Sequence, residues 1–356
     1  MIERLTRKSI RNFKPYTVNE TEAKIRLDAN ESPFDISDAV KQRIHAMIED
    51  KTGINRYPDT SSIKLRETIA GQYGFGIENI VAGSGSDQLI SSIINAFADY
   101  GDKVLIPAPT FEMFRVYSEI GFAETMEFDL DPDEDYAYDA SMISTMVKKH
   151  RPKLLFLCSP NNPTGNSLGR PSVGSIMESA ADTIVVIDEA YADFAADSFV
   201  KDVVRYDNAV VLRTFSKAYG LAGLRCGYSV SGTRAADQIR KVLPPYNISR
   251  FTQEVARFVL EDKAESARRI RYISGERDRL IGTLGRIRQL KVYPSEANFF
   301  LVRSLTGLDL YKELLEMDIR IRGFSGKRLL EDCYRINVGS REENDALTEG
   351  IFRIYR

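Results

Sequence analysis

Short apolar runs alternate with amphipathic stretches between about residues 78 and 230. Runs such as KVLIP, KLLFLCSP and TIVVIDEAY have the length and β-branched content of buried strands, whereas SDQLISSIINAFADYG repeats its apolar residues at helical spacing. This alternation predicts an α/β architecture in which helices flank a mostly parallel central sheet. Functional residues in such sheets follow the carboxyl ends of the strands, where Ser159 to Thr164, Asp188, Ser216 and Lys217 fall.

The pattern changes after about residue 245. A long charged helix (SARRIRYISGERDRLIGTLGRI) precedes the strand-like NFFLVR, the helix LDLYKELLEM, the strand CYRINVG and a last helix, which Ser340 and Glu343 open with a capping box. These elements predict a smaller α+β domain, joined through the turn-rich segment PPYNIS. We therefore expect an N-terminal arm that contributes to the small domain or packs on a neighbouring subunit (residues 1–35), a large domain (36–244) and a small C-terminal domain (245–356).

Composition narrows the class of protein. The chain has 356 residues, of which 43% are hydrophobic and 28% charged, and its net charge is −2. No basic block marks a nucleic-acid or membrane surface, so we expect small-molecule partners. No apolar run approaches the roughly 20 residues of a spanning helix, and the first residues lack a signal-peptide core, so we expect a cytoplasmic protein.

Cysteine and histidine are too scarce to carry the chemistry. Cys158, Cys226 and Cys333 are widely spaced and odd in number, which favours reduced, buried cysteines over disulfides or a zinc site. His45 and His150 lie in charged stretches without metal-ligand spacing, so neither a metal site nor a catalytic triad is expected. The chemistry is left to lysine, carboxylate, tyrosine and a bound cofactor.

The segment RTFSKAYGLAGLRCGY places Lys217 just after a predicted strand. A lysine at the edge of a sheet can form an imine with an aldehyde if burial and nearby cations keep part of it deprotonated. Ser216 and Arg225 offer a hydroxyl and a guanidinium to a phosphate. Taken alone, the segment is equally compatible with an ordinary surface lysine.

Two further strand ends offer partners for an aromatic cofactor. Asp188, in VVIDEAYADF, can hold a pyridine nitrogen in its protonated form, which makes the ring an electron sink. Tyr191 and Asn162, in SPNNPTG, can donate to a phenolic oxygen of the same ring. Taken singly, Asp188 also fits a helix N-cap and Asn162 a turn before proline.

A glycine turn and an aromatic residue complete the candidate site. In VAGSGSDQLI, Gly83 and Gly85 precede Ser86 and Asp87 where a helix begins, and the N–H groups of such a helix end bind phosphate readily. Phe111 begins the next helix and can stack on a cofactor ring, although a core phenylalanine also fits this position.

These segments, in this order, resemble the fold-type I pyridoxal-phosphate aminotransferases, and within them the histidinol-phosphate aminotransferases. The resemblance runs over nearly the whole chain and rests on LDANESP (27–33), RYPD (56–59), GSGSDQLI (83–90), PTF (109–111), SPNNPTG (159–165), DEAYADF (188–194), RTFSKAYGLAGLRCGY (213–228), PPYNIS (244–249), NFFLVR (298–303) and YRINVGSREEN (334–344).

The resemblance implies pyridoxal phosphate as the cofactor and homodimers with shared sites. It implies catalytic roles for Lys217, which carries the imine and then serves as general base, and for Asp188 and Tyr191. It implies that the cofactor is bound by Gly85, Ser86, Asp87, Phe111, Asn162, Asp188, Tyr191, Ser216, Lys217, Arg225 and, from the neighbouring subunit, Tyr57. At position 111 relatives commonly have tyrosine, so Phe111 keeps the stacking and lacks the hydroxyl.

The resemblance also implies the reaction and the substrate residues. The amino group would pass between histidinol phosphate and 2-oxoglutarate in a ping-pong reaction of histidine biosynthesis. Arg322 and Arg335 would meet the acidic groups of the substrates, Asn30 would contact them, and Tyr16 would close over them. An aromatic-amino-acid aminotransferase and a threonine-phosphate decarboxylase of the same fold stay open as alternatives, and so does a regulatory module that only binds the cofactor.

Overall fold

The computed structural model describes residues 2–7, 10–11, 21–50, 53 and 55–356. Its strands are β1 (Ile25–Arg26), β2 (Ile80–Gly83), β3 (Lys103–Ala108), β4 (Glu124–Asp129), β5 (Leu154–Cys158), β6 (Ile184–Asp188), β7 (Ala209–Thr214), β8 (Gly227–Ser231), β9 (Leu290–Val292), β10 (Phe299–Ser304), β11 (Ile319–Arg320), β12 (Arg322–Gly323) and β13 (Cys333–Asn337). Its α-helices are α1 (Ile2–Leu5), α2 (Asp38–Glu49), α3 (Ile63–Tyr73), α4 (Gly85–Phe97), α5 (Met113–Ile120), α6 (Ala140–His150), α7 (Arg170–Ser179), α8 (Thr233–Val242), α9 (Arg250–Glu261), α10 (Lys263–Leu284), α11 (Leu310–Leu315) and α12 (Arg341–Ile354).

A seven-stranded sheet forms the centre of the large domain. Its strand order is β2-β8-β7-β6-β5-β3-β4, and only β8 runs antiparallel to its neighbours. The mostly parallel sheet predicted from the alternating pattern is therefore confirmed. The carboxyl ends of β3, β5, β6 and β7 meet at one edge, which gathers the loops that follow them.

Helices cover both faces of this sheet. Along β5, Leu155 and Leu157 pack in the layer that contains α2, α3, α6, α7 and α9, whereas Leu154 and Phe156 face the layer of α4, α5 and α8. Both sets are fully buried, because side chains alternate across a strand and each face is covered. This double burial explains why these strands read as continuous apolar runs.

The small domain contains an antiparallel sheet of order β12-β13-β10-β9, backed by α10 and α12. The predicted capping box is present, since the Ser340 hydroxyl accepts from Glu343 N–H while the Glu343 carboxylate accepts from Ser340 N–H. Strand β1 pairs in parallel with β11, so part of the N-terminal segment joins the small domain.

Helix α9 packs with the large domain. Val255, Ala256 and Val259 belong to its core, and α9 lies against α2 and α3. This packing favours a domain boundary near Asp262, where α9 ends and α10 begins. The division at residues 244 and 245 stays a prediction.

Candidate active site

A cavity of about 860 Å³ lies at the carboxyl edge of the large sheet and extends to the small domain. Most of the residues singled out in the sequence line it. They are Asn30, Ser86, Asp87, Phe111, Asn162, Asp188, Tyr191, Ser216, Lys217, Arg225, Arg322 and Arg335. One cavity therefore collects side chains that are up to 305 positions apart in the chain.

Lys217 follows β7 and points its amine across the cavity. Nζ donates to the carbonyl oxygen of Ala29 at 3.2 Å and lies 5.7 Å from the centre of the Tyr191 ring. Burial, followed by the charge of Arg335, lowers the pKa of this amine to about 8. Roughly one tenth of the Lys217 amines are then neutral, and so nucleophilic, at pH 7.

Asp188 ends β6 and is 3% exposed. Its Oδ1 accepts from Ala190 N–H at 3.0 Å. Burial raises the pKa of this carboxyl to about 7, and the charges of Asp87 and Glu189 act in the same direction. A cation placed against it would favour the ionised form, because the charge of a buried carboxylate is otherwise poorly compensated.

A hydrogen-bonded chain connects the two domains beside Asp188. The Tyr191 hydroxyl accepts from Asn30 Nδ2 at 2.9 Å and from Asn162 Nδ2 at 3.4 Å. Arg335 Nη1 in turn donates to Asn162 Oδ1 at 2.6 Å. Burial raises the pKa of the Tyr191 phenol, so its hydroxyl stays protonated and can donate to a ligand.

The N-terminus of α4 lies directly beside Arg225 at the cavity wall. Gly85 has φ +80, and a Cβ there would lie 2.8 Å from Arg225 Nη2, so glycine gives the guanidinium room. The Ser84 side chain does not cap α4. Arg225 donates to Asp87 Oδ2 at 2.9 Å and approaches Ser216 Oγ at 3.4 Å. Uncapped N–H groups beside a guanidinium suit an anion such as phosphate.

Arg322 and Arg335 stand directly opposite each other on the antiparallel strands β12 and β13. Both line the cavity, so two guanidiniums face the same space. Phe111 borders it as well and meets Phe114 edge to face at 5.7 Å. The arginine pair can bind an acidic group, and the Phe111 ring can cover a flat one.

Three predicted residues are not part of the cavity lining. Gly85 begins α4 beside Arg225, just behind the lining. Tyr57 is 80% exposed and stacks on Tyr246 at 4.4 Å, outside the cavity lining. A neighbouring subunit can reach such a side chain. Tyr16 lies outside the described residues.

The sequence reasoning missed the charged rim of the cavity, formed by Glu112, Arg115, Glu127, Lys327 and Arg328. Lys327 pairs with Glu112 at 2.8 Å, and Arg328 pairs with Glu127 at 3.2 Å. Each of these pairs joins the small domain to the large one. No periodicity or motif marks such pairs, because their partners are about 200 residues apart.

A buried brace under the site was also missed. Arg213, on β7, donates to Glu189 at 3.0 Å and to Asp193 at 2.6 Å. Arg213 and Glu189 are each under one tenth exposed. The brace fixes the segment after Asp188 against the strand that leads to Lys217.

Comparison with known proteins places this geometry in a family. The family described as "Aminotransferase class I and II" matches residues 22–351. A histidinol-phosphate aminotransferase of Ruminiclostridium cellulolyticum is 40% identical over 354 residues, which cover 99% of each chain.

Two solved structures share the fold. The crystal structure of histidinol-phosphate aminotransferase from Sinorhizobium meliloti in complex with pyridoxal-5'-phosphate aligns with TM-score 0.86 at 25% identity, over 98% of this chain and 97% of that one. The L-threonine-O-3-phosphate decarboxylase of Porphyromonas gingivalis aligns with TM-score 0.80 at 25% identity, over 93% and 99%. This chain belongs to the class I and II aminotransferases and, within them, to the histidinol-phosphate aminotransferase family.

Proposed function

We propose that this protein is a pyridoxal-phosphate-dependent aminotransferase that moves the amino group of histidinol phosphate to 2-oxoglutarate, giving imidazole-acetol phosphate and glutamate. The observation that carries the proposal is the placement of Lys217, with its pKa lowered to about 8, in one cavity with the buried Asp188 and the arginines 322 and 335. The 40% identity to a histidinol-phosphate aminotransferase, over 99% of each chain, supports the same substrate.

The residues of the cavity fit the cofactor group by group. Lys217 would hold the aldehyde, and Asp188, whose pKa is raised by burial, would gain a compensating cation in a protonated pyridine nitrogen. Tyr191 and Asn162 would donate to the phenolic oxygen, and Phe111 would cover the ring. The phosphate would be bound by the N–H groups of Gly85, Ser86 and Asp87 together with Ser216 and Arg225.

When bound, pyridoxal phosphate supplies an aldehyde for the amino group and an electron-poor ring that stabilises negative charge at the neighbouring carbon. Lys217 Nζ, once free, takes the proton from substrate Cα, and its lowered pKa keeps the neutral form available near neutral pH. Asp188 would hold the ring nitrogen in its protonated form. One lysine thus binds the cofactor and transfers the proton.

Arg322 and Arg335 would bind the acidic groups of both substrates, since the amino donor carries a phosphate and 2-oxoglutarate carries carboxylates. Asn30 and Tyr16 belong to the same proposal as substrate contacts. Asn30 Nδ2 already donates to Tyr191 at 2.9 Å. This bond supports a role for Asn30 in orienting the tyrosine, in addition to contact with the substrate.

A homodimer is part of the proposal, with Tyr57 contributed to the neighbour's phosphate site. The exposed ring of Tyr57 outside its own cavity supports this arrangement. The partners are small molecules and a second copy of the chain. No helix among the described residues is long and apolar enough to cross a membrane. The cytoplasmic location expected from the sequence stays a prediction.

The alternatives are less favoured. The first curated relatives are all histidinol-phosphate aminotransferases at 36–41% identity, whereas the threonine-phosphate decarboxylase aligns at 25%. An aromatic-amino-acid aminotransferase would need the same cofactor residues, so only its substrate distinguishes it.

One spectroscopic experiment tests the proposal. The purified, cofactor-loaded protein is mixed with histidinol phosphate alone, and the yellow absorbance of the bound cofactor should be lost as it takes up the amino group. Parallel mixtures contain phenylalanine or threonine phosphate, with carbon dioxide measured in the last. Loss of the absorbance with phenylalanine only, or release of carbon dioxide, would replace the proposed reaction by the corresponding alternative.

A further inference from the structure

We infer that Asp28 and Arg320 form a positioning pair, which holds the segment Asp28–Asn30 so that its backbone and side chain align Lys217, Arg335 and Tyr191. The inference rests on the proposed function, because it assigns these three residues to the site. Neither Asp28 nor Arg320 carries a role in the sequence analysis.

The pair is enclosed where the N-terminal segment meets the small domain. Arg320 Nε lies 3.0 Å from Asp28 Oδ2, and the two residues are 9% and 7% exposed. Arg320 also donates through Nη1 to the carbonyl oxygen of Thr21. The contact is an ion pair rather than an aligned hydrogen bond, since Arg320 Nε and Asp28 Oδ1 have no hydrogen-bond partner among the described residues. Its attraction is nevertheless screened little by solvent, because both groups are enclosed.

The backbone on both sides of Asp28 is fixed as well. Leu27 N–H donates to the carbonyl oxygen of Arg320 at 2.7 Å, and the carbonyl oxygen of Leu27 accepts from Asn337 N–H at 3.0 Å. Asn30 has φ +52, a left-handed conformation that is uncommon for residues other than glycine. Asn298 Nδ2 donates to Asn30 O at 3.1 Å, and Asn337 Oδ1 accepts from Asn30 N–H at 3.2 Å.

The three residues of the segment each contact a different residue of the proposed site. Asp28 O accepts from Arg335 Nη2 at 2.5 Å, and Ala29 O accepts from Lys217 Nζ at 3.2 Å. Asn30 Nδ2 donates to the Tyr191 hydroxyl at 2.9 Å. A shift of this short segment therefore displaces the base, a substrate arginine and the tyrosine together.

The Asp28 carboxylate pairs with Arg320, whereas the backbone carbonyl oxygen of Asp28 contacts Arg335. The carboxylate therefore acts on the site by holding this backbone segment in place. Loss of the pair would leave a buried charge without compensation and release the segment. A displacement of about 1 Å at reacting groups can cost about 100-fold in rate. We therefore expect that removing this pair reduces kcat and weakens substrate binding more than removing an equally buried ion pair elsewhere does.

The test compares Asp28→Asn with a matched control, Glu276→Gln. Glu276 is 7% exposed and pairs with Arg279 and Arg341 at 2.7 Å in the small domain, outside the cavity lining. Thermal unfolding, kcat and KM are measured for each variant. The reactivity of Lys217 toward trinitrobenzenesulfonate is then followed against pH in the cofactor-free protein. A Lys217→Ala sample gives the background from the other lysines.

Asp28→Asn should lower kcat/KM by about 100-fold, through both a lower kcat and a higher KM. It should also move the midpoint of Lys217 modification to lower pH, because the Lys217 ammonium loses its acceptor, the carbonyl oxygen of Ala29. Glu276→Gln should lower the unfolding temperature and leave both the midpoint and KM unchanged. The conservative variant Arg320→Lys keeps the positive charge beside Asp28, so it should retain most of the activity and a midpoint close to that of the unaltered protein.

An Asp28→Asn protein with unchanged kcat, KM and lysine midpoint overturns the inference, whatever its unfolding temperature. If Asp28→Asn does not fold, Arg320→Gln and Arg320→Lys decide, because equal lysine midpoints in the two would likewise overturn it. The lysine measurement requires no turnover. Failure of the unaltered protein to transaminate would therefore contradict the proposed function and leave the measurement of the pair intact.

Discussion

Arg335 Nη1 donates to Asn162 Oδ1 at 2.6 Å, which joins a strand of the small domain to the loop after β5 of the large domain. Arg335 is proposed to bind the substrate, and Asn162 is proposed to bind the cofactor. Their contact couples the two functions, because an acidic substrate that attracts Arg335 competes with the Asn162 amide for the same guanidinium.

Arg335→Ala should therefore act mainly on substrate binding. Loss of a charge-assisted pair costs about 1.5–3 kcal/mol, so KM for both substrates should rise by about 10- to 100-fold. Steady-state kinetics with each substrate measure this, with Arg303→Ala as a control because Arg303 lies on the adjacent strand and outside the cavity. Unchanged KM values for both substrates would remove Arg335 from the binding site.

Lys217→Ala should abolish both the yellow absorbance and almost all turnover, since no other residue would hold the aldehyde or move the substrate proton. The measurement pairs an absorbance spectrum of the purified protein with an activity assay. Lys201→Ala, at an exposed position, serves as the control. A Lys217→Ala protein that keeps both properties contradicts the assignment.

Cofactor uptake by the cofactor-free protein should become faster as pH rises, with a midpoint near pH 8 and a plateau above about pH 9. The reason is that burial lowers the pKa of the Lys217 amine to about 8, and the neutral amine is the nucleophile. Stopped-flow absorbance from pH 6 to pH 10 measures the rate. Repeating the series with pyridoxal, which lacks the phosphate, separates lysine titration from phosphate titration. A midpoint near the ordinary lysine value of 10.5 would contradict the structure.

Asp188→Asn should stabilise the cofactor-free protein at high pH. Burial raises the pKa of Asp188 from 3.8 to about 7, so its stabilising contribution is fully present below pH 3.8 and is lost as pH rises through 7. The variant escapes this loss, which amounts to at most about 4 kcal/mol above pH 7. Thermal unfolding at pH 4 and pH 8 should show a gain over the unaltered protein that grows with pH. Asp207→Asn, whose carboxylate is 82% exposed, should show no such trend.

Tyr57→Phe should weaken cofactor binding through the neighbouring subunit. Removing a hydroxyl that bonds to a phosphate costs about 1.5–3 kcal/mol, so the Kd for pyridoxal phosphate should rise by at least about 10-fold. Tyr100→Phe, at another highly exposed tyrosine, should leave the Kd unchanged.

Mixed dimers locate the hydroxyl. In a hybrid of one Tyr57→Phe chain and one Lys217→Ala chain, the intact lysine would share its site with the intact Tyr57 of the other chain. Such a hybrid should bind cofactor at one site as tightly as the unaltered protein. Weak binding at the site with the intact lysine would show that Tyr57 acts within its own chain.

Local patterns in the sequence were enough to predict the helices and strands and the chemistry at the strand ends. Strands buried on both faces, such as β5 and β6, leave an uninterrupted apolar run, and the capping box at Ser340 is a local pattern of hydrogen bonds. Asp188 and Lys217 were identifiable because Asp188 is the last residue of β6 and Lys217 comes three residues after β7. Parallel strands bring these ends to one edge of the sheet.

Contacts between residues that are distant in the sequence could be identified only in the folded chain. No periodic pattern marks the ion pairs Asp28–Arg320, Arg213–Glu189 and Lys327–Glu112. The sequence does not distinguish a charged residue that faces solvent from one that pairs with another charged residue. The packing of α9 on the large domain was likewise decided by apolar contacts with α2 and α3. Burial and long-range contact fix the pKa values of Lys217 and Asp188, and those properties exist only once the chain has folded.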